Sequence, residues 1–247
     1  MIPTPIRQVL SIFQTNGVQA LLMGGQACVF YGAAQVSKDI DFVLLADPEN
    51  YVRLDAALAA LQARRIAVPP WKPELLERGH AVHFRCAAPG VEELRVNVMT
   101  RLRNLRDFAT LWERRTTFGD DGGAEYHLLS LPDLVQTKKT QWSMDWPVIE
   151  LLVTIHYREN GRTPRADWVE FWLCEARVAE LLVELAARFP AETRALSSTR
   201  PLLAHALAGD LDALRPALDA EVRAMQAIDR EYWAPLRREL EAMCREA

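Results

Sequence analysis

The sequence predicts an α+β protein in which a small mixed sheet flanked by helices forms the first half and helices alone form the second. Short apolar runs bounded by turn residues, typical of strands, all fall before residue 130. The segment 88–91 has a Pro-Gly centre that favours a hairpin turn. Beyond Pro147 the chain is almost entirely amphipathic at helical spacing. We therefore expect two domains, residues 1–129 and residues 130–247.

The first half is predicted to begin with a helix that ends at Gly17, because apolar residues recur at helical spacing up to Phe13. A capping-box spacing between Ser130 and Asp133 marks another helix start. Asp47 is a plausible N-cap for a helix that has Pro48 in its first turn. The other expected elements are strands 20–23, 39–45 and 126–129, helices 26–31 and 48–63, a hairpin of 81–87 with 93–100, and helices 166–188 and 211–243.

Composition narrows the class of protein. The chain has 247 residues and a formal net charge of −4. It therefore lacks the overall positive charge expected of a dedicated nucleic-acid-binding protein. Its four cysteines are scattered and are interpreted as reduced thiols, which favours a cytoplasmic location. Neither a signal peptide nor a membrane span is expected. The Asp120-Asp121 loop lacks the spacing of a calcium loop and is interpreted as a turn.

Two carboxylates alternate along the predicted strand 39–45. Side chains on a strand alternate between faces, so Asp39 and Asp41 share one face while Ile40 and Phe42 enter the core. Two carboxylates on one face repel each other unless a cation lies between them. Mg²⁺ suits such a pair, since it takes one or two carboxylates and completes its shell with water and phosphates. The alternative is a solvated strand end.

These residues resemble a known family. Gly24-Gly25 followed by Ser37-x-Asp39-x-Asp41 resembles the signature of the DNA polymerase β-like nucleotidyltransferase superfamily. The stretch 129–139, followed by Met144-Asp145, is similar to the second block of its AbiEii-type toxin branch. The resemblance covers about the first 155 residues. It implies a nucleotidyltransferase fold for the first half of the chain.

The resemblance also implies an activity, the transfer of a nucleoside monophosphate from an NTP to an acceptor hydroxyl, with RNA as a candidate acceptor. An antitoxin or another protein is the implied partner. Asp39 and Asp41 would hold Mg²⁺ on the triphosphate. The implied nucleotide-binding residues are Gly24, Gly25, Ser37, Lys138 and Asp145.

Each of these assignments has a structural alternative. Gly24 and Gly25 alone are typical of a tight strand-to-helix turn. Lys138 and Asp145 are seven positions apart and would share a face on one continuous helix, whereas Lys139 would point elsewhere. Lys138 is otherwise a surface cation, and Asp145 is otherwise the N-cap of the helix that contains Pro147.

Asn97 is the main departure from the family pattern. The strand around it is where the resemblance implies a third catalytic carboxylate, and an amide cannot act as a general base near neutral pH. The alternative function is therefore a catalytically degenerate binding module. A third possibility is that the helical half provides the functional surface. Arg95 and the arginines between 101 and 115 are interpreted as a solvated helix face, or else as a patch that steers a polyphosphate or an RNA end. No role is assigned to the histidines.

Overall fold

The computed structural model describes residues 4–35, 37–119, 123 and 125–246. Two compact units are present, one of Met1–Thr137 with Ala234–Ala247 and one of Lys138–Trp233. The predicted domains, 1–129 and 130–247, stay a prediction. Asp120 and Asp121 lie outside the described residues.

The first unit contains a mixed sheet of seven strands among its described residues. The strands are β1 (Ala20–Met23), β2 (Asp39–Leu44), β3 (Arg64–Ile66), β4 (Val82–Arg85), β5 (Arg95–Met99), β6 (Thr116–Gly119) and β7 (Glu125–Leu128). Their order across the sheet is β3-β4-β5-β2-β1-β7-β6. β2 runs parallel to β5 and antiparallel to β1, while β4 and β5 form the predicted antiparallel hairpin. The α+β class is confirmed.

The helices of this unit are α1 (Thr4–Thr15), α2 (Gly24–Phe30), α3 (Pro48–Ala60), α4 (Pro73–Glu77), α5 (Phe108–Glu113) and α6 (Leu131–Lys138), the last of which ends at the first residue of the second unit. The predicted caps are confirmed. Asp47 accepts hydrogen bonds from the backbone N–H groups of Glu49 and Asn50. The Asp133 N–H donates to Ser130 Oγ at 3.3 Å, and Ser130 Oγ donates to Asp133 Oδ2 at 2.6 Å.

The core of the first unit lies on the face of β2 that carries its apolar side chains. Ile40 is fully buried and Phe42 is 3% exposed, as the alternation predicts. Phe42 stacks on Phe13 of α1 with 4.4 Å between ring centroids. The opposite face of the same strand carries Asp39 and Asp41, which are half-buried. Burial of one face therefore fixes both carboxylates on the other.

The second unit is helical throughout its regular structure. After a short 3-10 turn (Ser143–Asp145) it contains α7 (Trp146–Asn160), α8 (Ala166–Glu175), α9 (Ala179–Arg188), α10 (Pro190–Leu196), α11 (Leu203–Ala208) and the first part of α12 (Leu211–Glu246). Residues of α12 from Ala234 onward group with the first unit. None of the described helices combines the length and apolar character needed to cross a membrane.

The predicted single helix 166–188 is wrong, because the chain leaves the helical conformation between α8 and α9. Ala176 and Val178 are extended there, with ψ values of 135° and 118°. Arg177, between them, is 6% exposed and donates from Nη1 to Glu221 Oε2 at 2.6 Å. This pair joins residues far apart in sequence, so the apolar periodicity of 166–188 cannot reveal the break.

Candidate functional site

Three polar side chains form a row across β2, β5 and β4 in the first unit. The strand register sets Asp41 opposite Asn97, and Asn97 opposite His83. Asn97 Nδ2 donates to Asp41 Oδ1 at 2.8 Å, and His83 Nδ1 lies 2.7 Å from Asn97 Oδ1. All three residues are half-buried. The row is therefore a continuous hydrogen-bonded chain along one face of the sheet.

A second row lies two residues away on the same three strands. Asp39 stands opposite Arg95, which stands opposite Arg85. Together with Ile66 and Ala67, these residues line an open cleft of about 410 Å³ that His83 and Asn97 also border. Because Arg95 lies on β5, its interpretation as part of a helix face is wrong. The cleft thus combines a carboxylate, an imidazole and two guanidinium groups.

The glycine turn after β1 packs against Asp41 and Ser37. Gly24 has φ +66°, and a Cβ built on it would lie 2.0 Å from Asp41 Oδ2. A Cβ on Gly25 would lie 2.5 Å from Ser37 Oγ, which itself donates to the Asp39 carbonyl at 3.1 Å. The structure therefore brings Gly24, Gly25, Ser37, Asp39 and Asp41 together. Both positions need glycine, because a side chain at either one would overlap with the neighbouring aspartate or serine.

Asn97 occupies the position beside Asp41 where the resemblance implies a third carboxylate. A carboxylate accepts hydrogen bonds and donates none, so the amide must present its NH₂ group to Asp41. A third carboxylate at this distance would instead repel Asp41 unless a cation bound between them. Asn97 therefore gives Asp41 a hydrogen-bond donor without contributing a charge.

The donor set fits one Mg²⁺ ion held by few protein ligands. Asp39 and Asp41 lie on one face of β2, and both are partly accessible to solvent. Within the described part of the chain, no group of three or more histidine, cysteine or acidic side chains is arranged to hold a metal. An ion at this place would therefore depend on two carboxylates and on oxygens from water and phosphate, the set that Mg²⁺ prefers.

Lys138 and Asp145, the other predicted site residues, meet in the second unit. Lys138 Nζ lies 2.8 Å from Asp145 Oδ1, and Thr140 Oγ1 donates to Asp145 Oδ2 at 2.6 Å. They do not share a continuous helix, because α6 ends at Lys138 and Asp145 belongs to the 3-10 turn. Asp145 precedes α7 but its side chain makes no capping hydrogen bond. Lys139 points elsewhere, as predicted, and bonds Glu175 Oε1 at 2.7 Å.

The Lys138–Asp145 ion pair is expected to contribute measurably to stability. Its side chains are 17% and 16% exposed, so water screens it less than a surface pair. A double-mutant cycle with Lys138→Met and Asp145→Asn should give a coupling energy of about 1–2 kcal/mol in denaturant unfolding. The matched control is Arg165–Asp167, with exposures of 64% and 58%, where we expect less than about 1 kcal/mol. Equal couplings would contradict the role given to burial.

Sequence reasoning missed His83 and Arg85. A signal for both was present, since positions 83 and 97 are equidistant from Gly90 at the hairpin turn, as are positions 85 and 95. Pairing the hairpin symmetrically would have set His83 against Asn97. Their proximity to Asp41 needed a further fact, the parallel pairing of β2 with β5. Residues 41 and 97 are too far apart in sequence for a local pattern to reveal it.

No protein-family model and no curated protein matches this sequence significantly. Among solved structures, JHP933 from Helicobacter pylori is similar with a TM-score of 0.41 and 12% identity over 94% of each chain. A candidate nucleotidyltransferase from H. pylori has a TM-score of 0.42 and 14% identity, covering 92% of this chain and 94% of its own. The antibiotic-resistance factor ANT(2'')-Ia has 0.36 and 12%, covering 97% and 96%. At such low TM-scores and sequence identities, no property of these three proteins can be transferred to this chain.

Proposed function

We propose that this chain is a nucleotidyltransferase that uses Mg²⁺ to transfer a nucleoside monophosphate from an NTP to an acceptor hydroxyl. The observation that carries the proposal is the packing of Gly24 against Asp41. A side chain at position 24 would lie 2.0 Å from the Asp41 carboxylate oxygen, so only glycine lets the backbone of this turn approach that carboxylate so closely. Phosphate groups bind readily where glycines let the backbone approach closely.

Each residue of the site has a role in this proposal. Asp39 and Asp41 would hold Mg²⁺, which when bound neutralises charge on the triphosphate. Gly24 and Gly25 leave room for the phosphates, and Ser37 fixes the loop before β2 through its bond to the Asp39 carbonyl. Lys138 and Asp145 are proposed as further nucleotide contacts, on the basis of the sequence resemblance.

The two arginines of the cleft support an anionic ligand. Arg85 and Arg95 stand directly opposite each other on β4 and β5, and like charges in that position destabilise a sheet. Glu93 partly compensates, with Oε2 at 3.3 Å from Arg85 Nη1, although its side chain is 78% exposed. A triphosphate over the cleft would relieve the remaining repulsion. The planar guanidinium groups of both arginines would also be suited to donate paired hydrogen bonds to phosphate oxygens.

Thermal unfolding with and without Mg²⁺ tests the proposal directly. We expect at least one of ATP, GTP, CTP and UTP to stabilise the wild-type chain only when Mg²⁺ is present. At a free ligand concentration of about a hundred times the dissociation constant, binding should add about 2.7 kcal/mol to the free energy of unfolding. No shift with any of the four nucleotides would contradict the proposal. Stabilisation by Mg²⁺ that no nucleotide increases would indicate a cation site that does not bind nucleotide.

Asn97 favours a second candidate function, a nucleotidyltransferase-fold module that binds without catalysis. Its amide stands where a general base is expected and cannot accept a proton near neutral pH. In such a module, Asn97→Asp would strengthen Mg²⁺ binding, because it adds the missing carboxylate. In an active enzyme built around the amide, the same change would lower the rate of pyrophosphate release or leave it unchanged. Mg²⁺ titration and pyrophosphate release from NTP separate the two.

The identity of the acceptor and of any protein partner stays a prediction. RNA as the acceptor, an antitoxin as the partner, membership of the toxin branch and a cytoplasmic location all come from the resemblance or from composition. The cleft itself favours a ligand rich in phosphate, through Arg85 and Arg95 beside Asp39.

A further inference from the structure

We propose that His83 is the general base of this site and takes the proton of the acceptor hydroxyl on Nε2. The inference rests on the proposed nucleotidyl transfer and gives that reaction the base that Asn97 cannot supply. It is carried by the hydrogen-bonded row Asp41–Asn97–His83, whose polarity determines which nitrogen of the imidazole carries a proton.

The polarity of the row follows from its carboxylate end. Asp41 only accepts, so Asn97 donates to it from Nδ2. The amide oxygen of Asn97 is then the atom that faces His83, at 2.7 Å from Nδ1. An amide oxygen also only accepts, so Nδ1 must carry the hydrogen. In the neutral imidazole the free lone pair is therefore on Nε2, and this is the nitrogen that can accept a proton.

His83 is also well placed by its surroundings. It borders the same cleft as Asp39, and Nε2 has no hydrogen-bond partner among the described residues. Of the described side chains that line the cleft, Asp39 and His83 are the two that carry an atom able to act as a base. Asp39 is assigned to the cation, and its carboxylate is a weaker base than imidazole. His83 is left as the base.

The reaction balances with an NTP and an acceptor alcohol as the two reactants. The acceptor oxygen forms a bond to the α-phosphorus while its proton passes to Nε2 of His83. The bond between the α-phosphorus and the bridging oxygen of the β-phosphate breaks, and pyrophosphate leaves with that electron pair. The products are a phosphodiester, pyrophosphate and an imidazolium, which then loses its proton to water.

The tautomer of His83 can be measured without knowing the acceptor. Long-range proton–nitrogen NMR of the ¹⁵N-labelled full chain shows which ring nitrogen carries the hydrogen, and the resonances that His83→Gln removes identify the residue. We expect the Nδ1–H tautomer at neutral pH. Asn97→Leu is the matched control, because it keeps the branch at Cγ and removes the amide. This variant should no longer favour the Nδ1–H tautomer. An Nε2–H tautomer in the wild type would overturn the inference.

Kinetics tests the catalytic part, with water and pooled RNA as probe acceptors. Pyrophosphate release should fall by about 10²–10⁴-fold in His83→Gln, while stabilisation by NTP with Mg²⁺ is kept. The wild-type rate should decrease towards low pH, and His83→Gln should lack this decrease. The charged groups around His83 are Arg85 on its own strand, Arg64 on β3, Arg95 on β5 and Asp39 on β2, with Asp41 behind Asn97.

The outcomes separate the inference from the function it rests on. A wild type that shows no Mg²⁺-dependent stabilisation by NTP contradicts nucleotidyl transfer itself. A wild type that binds NTP with Mg²⁺, but releases no pyrophosphate with either probe acceptor, overturns the role of His83 and favours the binding module. Release by His83→Gln at the wild-type rate, with an unchanged pH profile, overturns it as well.

Discussion

Replacement of both Asp39 and Asp41 by asparagine is expected to abolish the Mg²⁺-dependent stabilisation of this chain by NTP. The amide oxygens keep the size of the carboxylates but lose the two negative charges that would hold the cation. The loss should equal the whole wild-type gain, about 2.7 kcal/mol at a hundredfold excess over the dissociation constant. Without ligand, the change should be about 1 kcal/mol or less, because the amide oxygen introduced at position 41 can still accept a hydrogen bond from Asn97.

The control for this variant is an exposed carboxylate that belongs to no strand. Asp219 is exposed on α12, and Asp219→Asn makes the same chemical change without touching β2. It should keep the full nucleotide effect. Thermal unfolding with each NTP, with and without Mg²⁺, compares the variants with the wild type. If the double variant keeps its Mg²⁺-dependent shift, the cation is held elsewhere and the proposed function loses its main support.

Much of the sheet could be predicted because its central strands carry strong local signals. β1 matches its predicted bounds, and β2 differs by one residue at its end. The alternation of Asp39 and Asp41 with Ile40 and Phe42 gave the correct faces, since burial of one face fixes the other. The Pro-Gly centre located the turn between β4 and β5. In each case the information lies within about ten residues of sequence.

The elements that were missed lack such signals. β3 is three residues long, Arg64–Ile66, and its two arginines are exposed. β6 has the sequence TTFG, in which half-buried and exposed positions alternate and one threonine occupies each kind. α4 and α5 have five and six residues, too short for a helical period to stand out. These segments adopt their structure through neighbours that sequence periodicity does not identify.

The candidate site divides in the same way. The carboxylate pair and the glycine turn are local motifs, and the sequence indicated both. His83 becomes significant through two strand pairings, β4 with β5 and β5 with β2, which together link it to Asp41. The same pairings change the meaning of Asn97. From sequence it is a missing base, whereas in the structure it joins a carboxylate to an imidazole.

Gly24→Ala is expected to destabilise the first unit and to remove nucleotide binding. Two costs combine at this position. Alanine at φ +66° adopts a left-handed conformation that costs about 1–2 kcal/mol. Its Cβ would also lie 2.0 Å from Asp41 Oδ2 and 2.9 Å from Asp41 Cβ. A rotation of the Asp41 side chain could move Oδ2 but not Cβ, so the backbone of β1 or β2 must shift.

Gly209→Ala separates these two costs. Gly209 has φ +68° at the end of α11, and a Cβ there would meet nothing within 4 Å. It should therefore show the backbone cost alone and keep the full Mg²⁺-dependent shift with NTP. The excess destabilisation of Gly24→Ala over Gly209→Ala, measured by denaturant unfolding, is the cost of displacing Asp41. Equal destabilisation, with nucleotide binding kept in both, would mean that the Asp41 carboxylate can move aside without loss, and that its close approach to the glycine turn has no part in binding.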